Sequence, residues 1–308
     1  MYDVVIVGGG PGGLTAAIYT SRAGRETVVV EKEMPGGLMA TTHEVENYPG
    51  LPDVSGAELG ERFRRHAEEF GTKVIMDEIE SLRLDGDQKV AVGAAGEYAG
   101  RVLILATGSA PRTLGVPGED RLRGRGVSYC ATCDGAFFRE QEVACVGGGD
   151  AAVQEALHLT RFASRVHMIH RRKELRAVRV LQDRLMSHDR VQVHWNTVVE
   201  EIEGDKLVSG LRLRNVATGK EQHLPVGGVF IYVGHQPATA FVPDGVGVDE
   251  QGYLVTDDHM RTGVPGVFGV GDVRHRIQRQ IATAVGDGAT AAMAVENYLG
   301  DLEGRSSH

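Results

Sequence analysis

Val4-Val5-Ile6-Val7-Gly8-Gly9-Gly10-Pro11-Gly12-Gly13 leads into an amphipathic stretch to about Ala23 and then into Thr27-Val28-Val29-Val30. Four branched residues in a row read as a buried strand, the glycines as a tight turn, and the stretch after them as a helix returning to a second strand. The plan recurs. Glu142-Val143-Ala144-Cys145-Val146 enters Gly147-Gly148-Gly149-Asp150-Ala151-Ala152, a helix to about Phe162, and Arg165-Val166-His167-Met168-Ile169. Each segment is a βαβ unit with a glycine turn after its first strand. The chain therefore reads as α/β, with two Rossmann-like, doubly wound, three-layer nucleotide-binding domains.

Further strands are expected at Lys73 to Met76 and at Arg101 to Ala106, which ends in Thr107-Gly108. After the second unit come Val191 to His194, Val208 to Arg214, Val229 to Val233 and Val267 to Val270, the last ending in Gly271-Asp272. An alanine-rich helix from about Gln280 to Leu299 closes the chain. The final Gly-Asp turn has no counterpart in the second unit and is left to complete the first, so the second domain reads as inserted. The expected division is 1–111 and 241–308 for the first domain and 112–240 for the second. Gly and Pro gather at the crossings, near Pro111 to Gly118 and Gly234 to Phe241.

Composition narrows the function classes. At about 150 residues per domain, 308 residues make two domains with an ample core. The net charge of −9 gives no long-range attraction for nucleic acid or anionic lipid, so neither is an expected partner. Glycine, 42 of 308, is roughly twice its usual share, but it clusters between apolar runs, which indicates close backbone approaches and not disorder. Val4 to Ser21 is uncharged and long enough to span a membrane, yet Pro11 and five glycines interrupt it, and no basic segment precedes it. Three cysteines are too few for a disulfide scaffold; a cytoplasmic chain with one special pair is expected.

The two glycine turns differ where a ribose would lie. Gly8, Gly10 and Gly13 have the G-x-G-x-x-G spacing, and 23 residues after Gly8 stands Glu31. An acid there accepts hydrogen bonds from ribose hydroxyls and repels a 2′-phosphate, so the site suits FAD or NAD; otherwise the motif is an ordinary glycine-rich turn. The second turn has Gly147, Gly149 and Ala152, and the same offset falls on His170, followed by Arg171, Arg172 and Arg176. A cationic cluster in that place suits an adenosine 2′-phosphate and hence NADPH. The plainer alternative is a solvated basic helix start.

Cys130-Ala131-Thr132-Cys133-Asp134 ends 13 residues before Gly147. A C-x-x-C pair can close a small disulfide ring, local donors can activate one thiolate, and Asp134 can move the proton. A half zinc site and a purely structural pair share this spacing, but zinc needs two more ligands and no second cysteine pair exists; no metal is expected. Cys145, alone in an apolar strand, reads as a core residue.

Together these motifs resemble the low-molecular-weight thioredoxin reductases, of class II pyridine nucleotide-disulfide oxidoreductases. The likeness rests on Gly8 to Gly13, Pro35-Gly36-Gly37 with Val45-Glu46-Asn47-Tyr48-Pro49-Gly50, Cys130 to Gly135, His170-Arg171-Arg172 with Arg176, and Gly271-Asp272 with Arg279-Gln280. It implies a homodimer in which hydride passes from NADPH to FAD, then to a Cys130–Cys133 disulfide with Asp134 as acid, and finally by dithiol exchange to thioredoxin or a thioredoxin-like protein. It also implies that Cys133 lies nearer the flavin, and that the inserted domain rotates so that one flavin meets dithiol and nicotinamide in turn. Implied FAD contacts are Gly8, Gly10, Pro11, Gly13, Glu31, Gly37, Leu38, Asn47, Ala106, Thr107, Gly108, Asp272, Arg279, Gln280 and Ile281. Implied NADPH contacts are Gly147, Gly149, Asp150, Ala151, His170, Arg171, Arg172 and Arg176.

Four positions depart from the family pattern: Leu38 for glutamine, Gln278 for tyrosine, and Ala151 and Gln154 for a hydroxyl and a glutamate. Losing a hydroxyl near the pyrophosphate removes one hydrogen bond, roughly 1 kcal/mol. Alternatives are a flavin-dependent dithiol oxidase or a disulfide reductase with another donor or partner on the same scaffold, neither of which needs the arginines. From another class, a zinc-stabilised nucleotide-binding module would be colourless when purified.

Overall fold

Tyr2–Val7 (β1) and Thr27–Glu31 (β2) have nearly every residue buried, because strands inside a parallel sheet are covered on both faces. The computed structural model describes all residues except His43, Glu44, Pro52, Asp85, Asp87, Ile277 and 305–308. The chain divides into two compact units, Met1–Ala110 with Gln236–His308, and Pro111–His235. The second boundary lies before Gln236 and not after Ala240. Strand His235–Pro237 (β16) pairs with Ser109–Pro111 (β7), and beyond it Ala238 is bonded on both its N–H and its carbonyl to Gly108 and Thr107, which draws 236–240 into the first unit.

In the first unit β1 and β2 join Lys73–Met76 (β3), Glu97–Leu105 (β6) and Val267–Gly269 (β17) in the parallel order β3-β2-β1-β6-β17. Alternation along β1 divides the core. Val4 and Ile6 pack with Leu14 of Pro11–Arg22 (α1) and with Ala291 and Val295 of Ile281–Leu302 (α6), while Val5 and Val7 pack with Ile79, Leu82 and Leu254. Ile79 and Leu82 belong to Ile79–Arg83 (β4), which forms a hairpin with Lys89–Gly93 (β5) on the edge of β6. Burial of each large side chain, such as Ile6, Leu14 and Phe268, contributes about 1.5–3 kcal/mol. The small residues of α6 serve close approach: a Cβ on Gly288 would lie 2.3 Å from Gly12 O, which brings α6 against the glycine turn.

The second unit repeats the plan. Val191–His194 (β11), Arg165–Ile169 (β10), Glu142–Gly147 (β9), Gly228–Tyr232 (β15) and Val127–Ser128 (β8) form one parallel sheet in that order. Val143, Cys145 and Met168 face Asp150–Leu159 (α4) and Arg179–Met186 (α5). Ala144 and Val146 face Thr197–Glu203 (β12), Gly210–Asn215 (β13) and Glu221–Leu224 (β14), an antiparallel sheet. In both units, then, the layer opposite the helices includes antiparallel β-structure. No helix of the described residues is long and apolar enough to cross a membrane.

Candidate active site

The first glycine turn leaves no room for side chains where the chain closes on itself. Gly8 takes a φ of +105°, and a Cβ there would lie 2.3 Å from Ala106 O; one on Gly13 would lie 2.0 Å from Gly8 O. Gly10, the N-cap of α1 ahead of Pro11, instead faces open space. A backbone open at a helix start, with N–H groups directed outward, accommodates a pyrophosphate. Gly37 adjoins it, since its Cβ would lie 3.4 Å from Gly10 Cα, and the next residue, Leu38, is exposed. The buried Glu31 carboxylate accepts Gly9 N–H at 2.6 Å on one oxygen and Glu33 N–H at 2.9 Å on the other, so the acid is anchored while each oxygen retains a lone pair for a hydroxyl.

Close to the glycine turn, since a Cβ on Gly12 would lie 3.6 Å from Gly271 N, Asp272 sits in the turn Gly271–Val273 with Oδ1 buried and without a hydrogen-bond partner among the described residues. Burial raises its pKa, opposed by Arg276 and Arg279. An unmatched buried carboxylate oxygen costs about 1–3 kcal/mol or more unless a ligand hydroxyl donates to it. Arg279 stacks over Tyr253 at 4.3 Å, Ile281 packs with Met39 and Leu59, and Asn47 Nδ2 donates to Gln280 Oε1 at 2.9 Å across 233 residues of chain. Open backbone at Gly10, an acid at the ribose offset and a donor-seeking Asp272 together fit an FAD.

The second turn is built differently. Gly147 is not in the left-handed region, but a Cβ on it would lie 2.5 Å from Tyr232 O; Gly149, the N-cap of α4, faces open space, and Ala151 is exposed. Asp150 Oδ1 accepts Val178 N–H at 2.7 Å. Arg171, Arg172 and Arg176 are exposed, and their guanidinium groups meet no partner among the described residues. His170 departs from the expected cluster. Its ring is 5% exposed and turned inward, with Nδ1 2.7 Å from Gly147 O and Nε2 2.8 Å from Glu174 O, because the end of β10 points it under the turn. The three arginines are exposed on one loop; the histidine is not exposed with them.

Cys130 is the N-cap of a one-turn helix, Ala131–Asp134 (α3), that contains Cys133, and the two are joined as a disulfide. Both sulfurs are thereby taken, and among the described residues no group of three His, Cys, Asp or Glu could hold a metal ion. Cys133 N–H points at Cys130 Sγ, 3.1 Å away, and the Tyr232 phenol oxygen accepts Ala131 N–H at 2.7 Å. Asp134 borders a cleft of about 310 Å³ with Ser128, Arg125, Phe137 and Leu207; the last two are exposed apolar side chains. Cys145 is fully buried, its thiol pushed well above the ordinary range by desolvation, as suits a core residue.

Residues 2–288 match the model of the pyridine nucleotide-disulphide oxidoreductase family. The chain belongs to this family. Among curated relatives, thioredoxin reductase of Listeria monocytogenes is 47% identical over 98% of this chain and 95% of its own length. That of Bacillus subtilis is 46% identical over 98% and 96%. The crystal structure of Lactococcus lactis thioredoxin reductase superposes with a TM-score of 0.95 at 45% identity, covering 98% of this chain and all of that one. The two nucleotide-binding Rossmann-like domains of this pyridine nucleotide-disulphide oxidoreductase are thus those of solved thioredoxin reductases.

Several side chains of this oxidoreductase that shape the site escape sequence reasoning. Asp287 on α6 accepts Gly271 N–H at 3.0 Å, Arg274 Nη1 at 3.0 Å and Arg276 Nη1 at 2.8 Å, and so holds the turn that carries Asp272. An acid among alanines and glycines was its one visible signal. Glu119, 2% exposed, accepts Leu114 N–H, Gly115 N–H and the Tyr129 hydroxyl, which ties the chain after the first crossing to the residue before Cys130; nothing local marks it. Glu155 has an oxygen buried without a partner, and burial raises its pKa to about 7. Its place on the apolar face of α4, between Ala152 and Leu159, was legible.

Proposed function

We propose that this chain is an NADPH-dependent, FAD-containing thioredoxin reductase that catalyses NADPH + H⁺ + thioredoxin disulfide → NADP⁺ + thioredoxin dithiol. One observation carries the reading: the Cys130–Cys133 disulfide belongs to the same unit as a dinucleotide turn at whose ribose offset stand three exposed arginines that meet no partner among the described residues. FAD, when bound, supplies the two-electron relay between nicotinamide and disulfide. In the first unit Gly8, Gly10 and Gly13 would admit its pyrophosphate, Glu31 would accept from its adenosine ribose, and Asp272 Oδ1 would accept from its ribityl chain. Arg171, Arg172 and Arg176 would hold the 2′-phosphate of NADPH.

Opening the S–S bond places negative charge on sulfur. Cys133 N–H, already directed at Cys130 Sγ, stabilises charge there, and Asp134 supplies or collects the proton as each thiol forms or leaves. The cleft beside Asp134, with Phe137 and Leu207 on its rim, supports docking of a thioredoxin-like protein at the dithiol. Because flavin-binding residues lie in one unit and both dithiol and nicotinamide-binding residues in the other, the second unit rotates to present each in turn. We assign a homodimer and a cytoplasmic location, where NADPH-driven thiol reduction is useful.

A dithiol oxidase or a reductase fed by another donor is not favoured, since neither uses the arginine group. The deciding experiment is an anaerobic NADPH titration of the purified yellow protein, followed at the flavin absorbance, with thioredoxin as final acceptor. Flavin bleaching by NADPH and recovery on adding oxidised thioredoxin are expected; a flavin that NADPH cannot reduce overturns the reading.

A further inference from the structure

We propose that His170 is a positioning residue, a clasp that holds the arginine loop in its phosphate-binding shape without touching the nucleotide; this rests on the NADPH reading above. The loop from Arg171 to Val178 folds back over the second glycine turn. Gly148 O accepts two N–H groups from it, Arg176 at 2.7 Å and Ala177 at 3.2 Å, and Asp150 Oδ1 accepts a third, from Val178 at 2.7 Å. His170 makes the remaining connection. One ring nitrogen meets Gly147 O in the turn and the other meets Glu174 O in the loop, so the imidazole spans the two segments.

The ring is closely enclosed. A Cβ on Gly148 would lie 2.2 Å from His170 Cε1, and Trp195 stands edge-on with ring centroids 6.2 Å apart. Gly148 is therefore required by the histidine beneath it as well as by the turn. Both contacts are to carbonyl oxygens, so the imidazole fills the gap between turn and loop with one polar ring nitrogen facing each. Few side chains set two opposed ring nitrogens on so short a rigid frame. With 95% of its surface covered and both nitrogens occupied, His170 has nothing left to offer a phosphate. What it can do is fix Glu174, and with it the path of the chain between Arg172 and Arg176.

The test uses the full-length, flavin-loaded chain with 2′,5′-ADP and 5′-AMP as probes. His170→Phe keeps a ring of similar size under Gly148 and removes both ring nitrogens. Losing these polar contacts is expected to weaken 2′,5′-ADP binding about tenfold, with 5′-AMP binding much less affected. Two further readouts separate a clasp from a ligand. Without nucleotide, amide exchange at Arg176 and Ala177 is expected to speed up in His170→Phe and to stay unchanged in Arg171→Ala with Arg172→Ala. The salt dependence of 2′,5′-ADP binding is expected to persist in His170→Phe and to flatten in the arginine variant, since only the latter removes charge facing the phosphate. Should His170→Phe fold poorly, His170→Gln, which keeps a donor group, gives the same signs at smaller amplitude. Wild-type affinity and exchange in the histidine variants overturn the proposal, as does a flattened salt dependence with exchange unchanged. If the wild-type chain binds the two probes equally, the NADPH reading falls and takes the proposal with it.

Discussion

The two glycine turns have one chain plan and opposite electrical designs. In the first, the residue 23 positions on is Glu31, which accepts the Gly9 N–H and so binds the turn through its donor side. In the second, His170 at the same offset faces the carbonyls of Gly147 and Glu174 and binds the turn through its acceptor side. The anchored acid keeps a lone pair on each oxygen, whereas the histidine is used up, and on the proposed reading discrimination would pass to the exposed arginines beyond it. The helices differ as well: eight residues past the first glycine, α1 has the fully buried Ala16 and α4 has Glu155 with an unpartnered oxygen. Equal spacing thus fixes where a side chain lies relative to the turn and says little about what it does there.

The largest effect is expected from the element that only the second unit carries. Cys133→Ser should abolish thioredoxin turnover while NADPH still reduces the flavin, as stopped-flow absorbance would record; retained turnover would remove the dithiol from the route. Next in size is the ribose end. Arg171→Ala with Arg172→Ala removes two charge-assisted contacts of about 1.5–3 kcal/mol each, so the KM for NADPH should rise about 10²-fold or more with that for NADH little changed. Equal losses would erase the asserted contrast between the turns.

A smaller change probes the support that α6 gives the first unit. Asp287→Asn weakens the hold on Gly271, Arg274 and Arg276, and FAD affinity, followed by flavin fluorescence on dilution, should fall about tenfold, equivalent to about 1.4 kcal/mol. Unchanged affinity would mean that the turn bearing Asp272 holds its shape unaided.

The mildest prediction concerns Glu155, whose folded pKa of about 7 lies above its ordinary value of 4.5. Below the lower value the carboxyl is protonated in both states. As pH rises toward 7 the unfolded chain ionises while the folded one does not, so stability is lost across that window and the loss is constant above it. Glu155→Gln should therefore raise the unfolding temperature by about 5 °C at pH 8 and far less at pH 5, corresponding to at most about 3 kcal/mol. A gain independent of pH would point to packing and not to charge.

Much of this was legible from local pattern. Branched runs before glycine clusters located β1, β9 and the helices after them, since strand and turn preferences act over a few residues. The hairpin β4–β5 and the strands β12 and β14 beside the expected β13 were not, because short antiparallel strands are fixed by partners distant in sequence. Nor could spacing find the Asn47–Gln280 contact across 233 residues or the hold of Asp287 on Gly271.

By itself the sequence determined the two nucleotide turns, the acid in one and the arginines in the other, and the reactive cysteine pair, because each is a short motif whose chemistry follows from residue type and spacing. Tertiary structure decided which way the side chains face. Whether His170 meets a phosphate or a carbonyl, and whether Asp272 has a donor, depends on which buried backbone groups remain unpaired once the layers have packed, and that is settled only when the whole unit has closed around them.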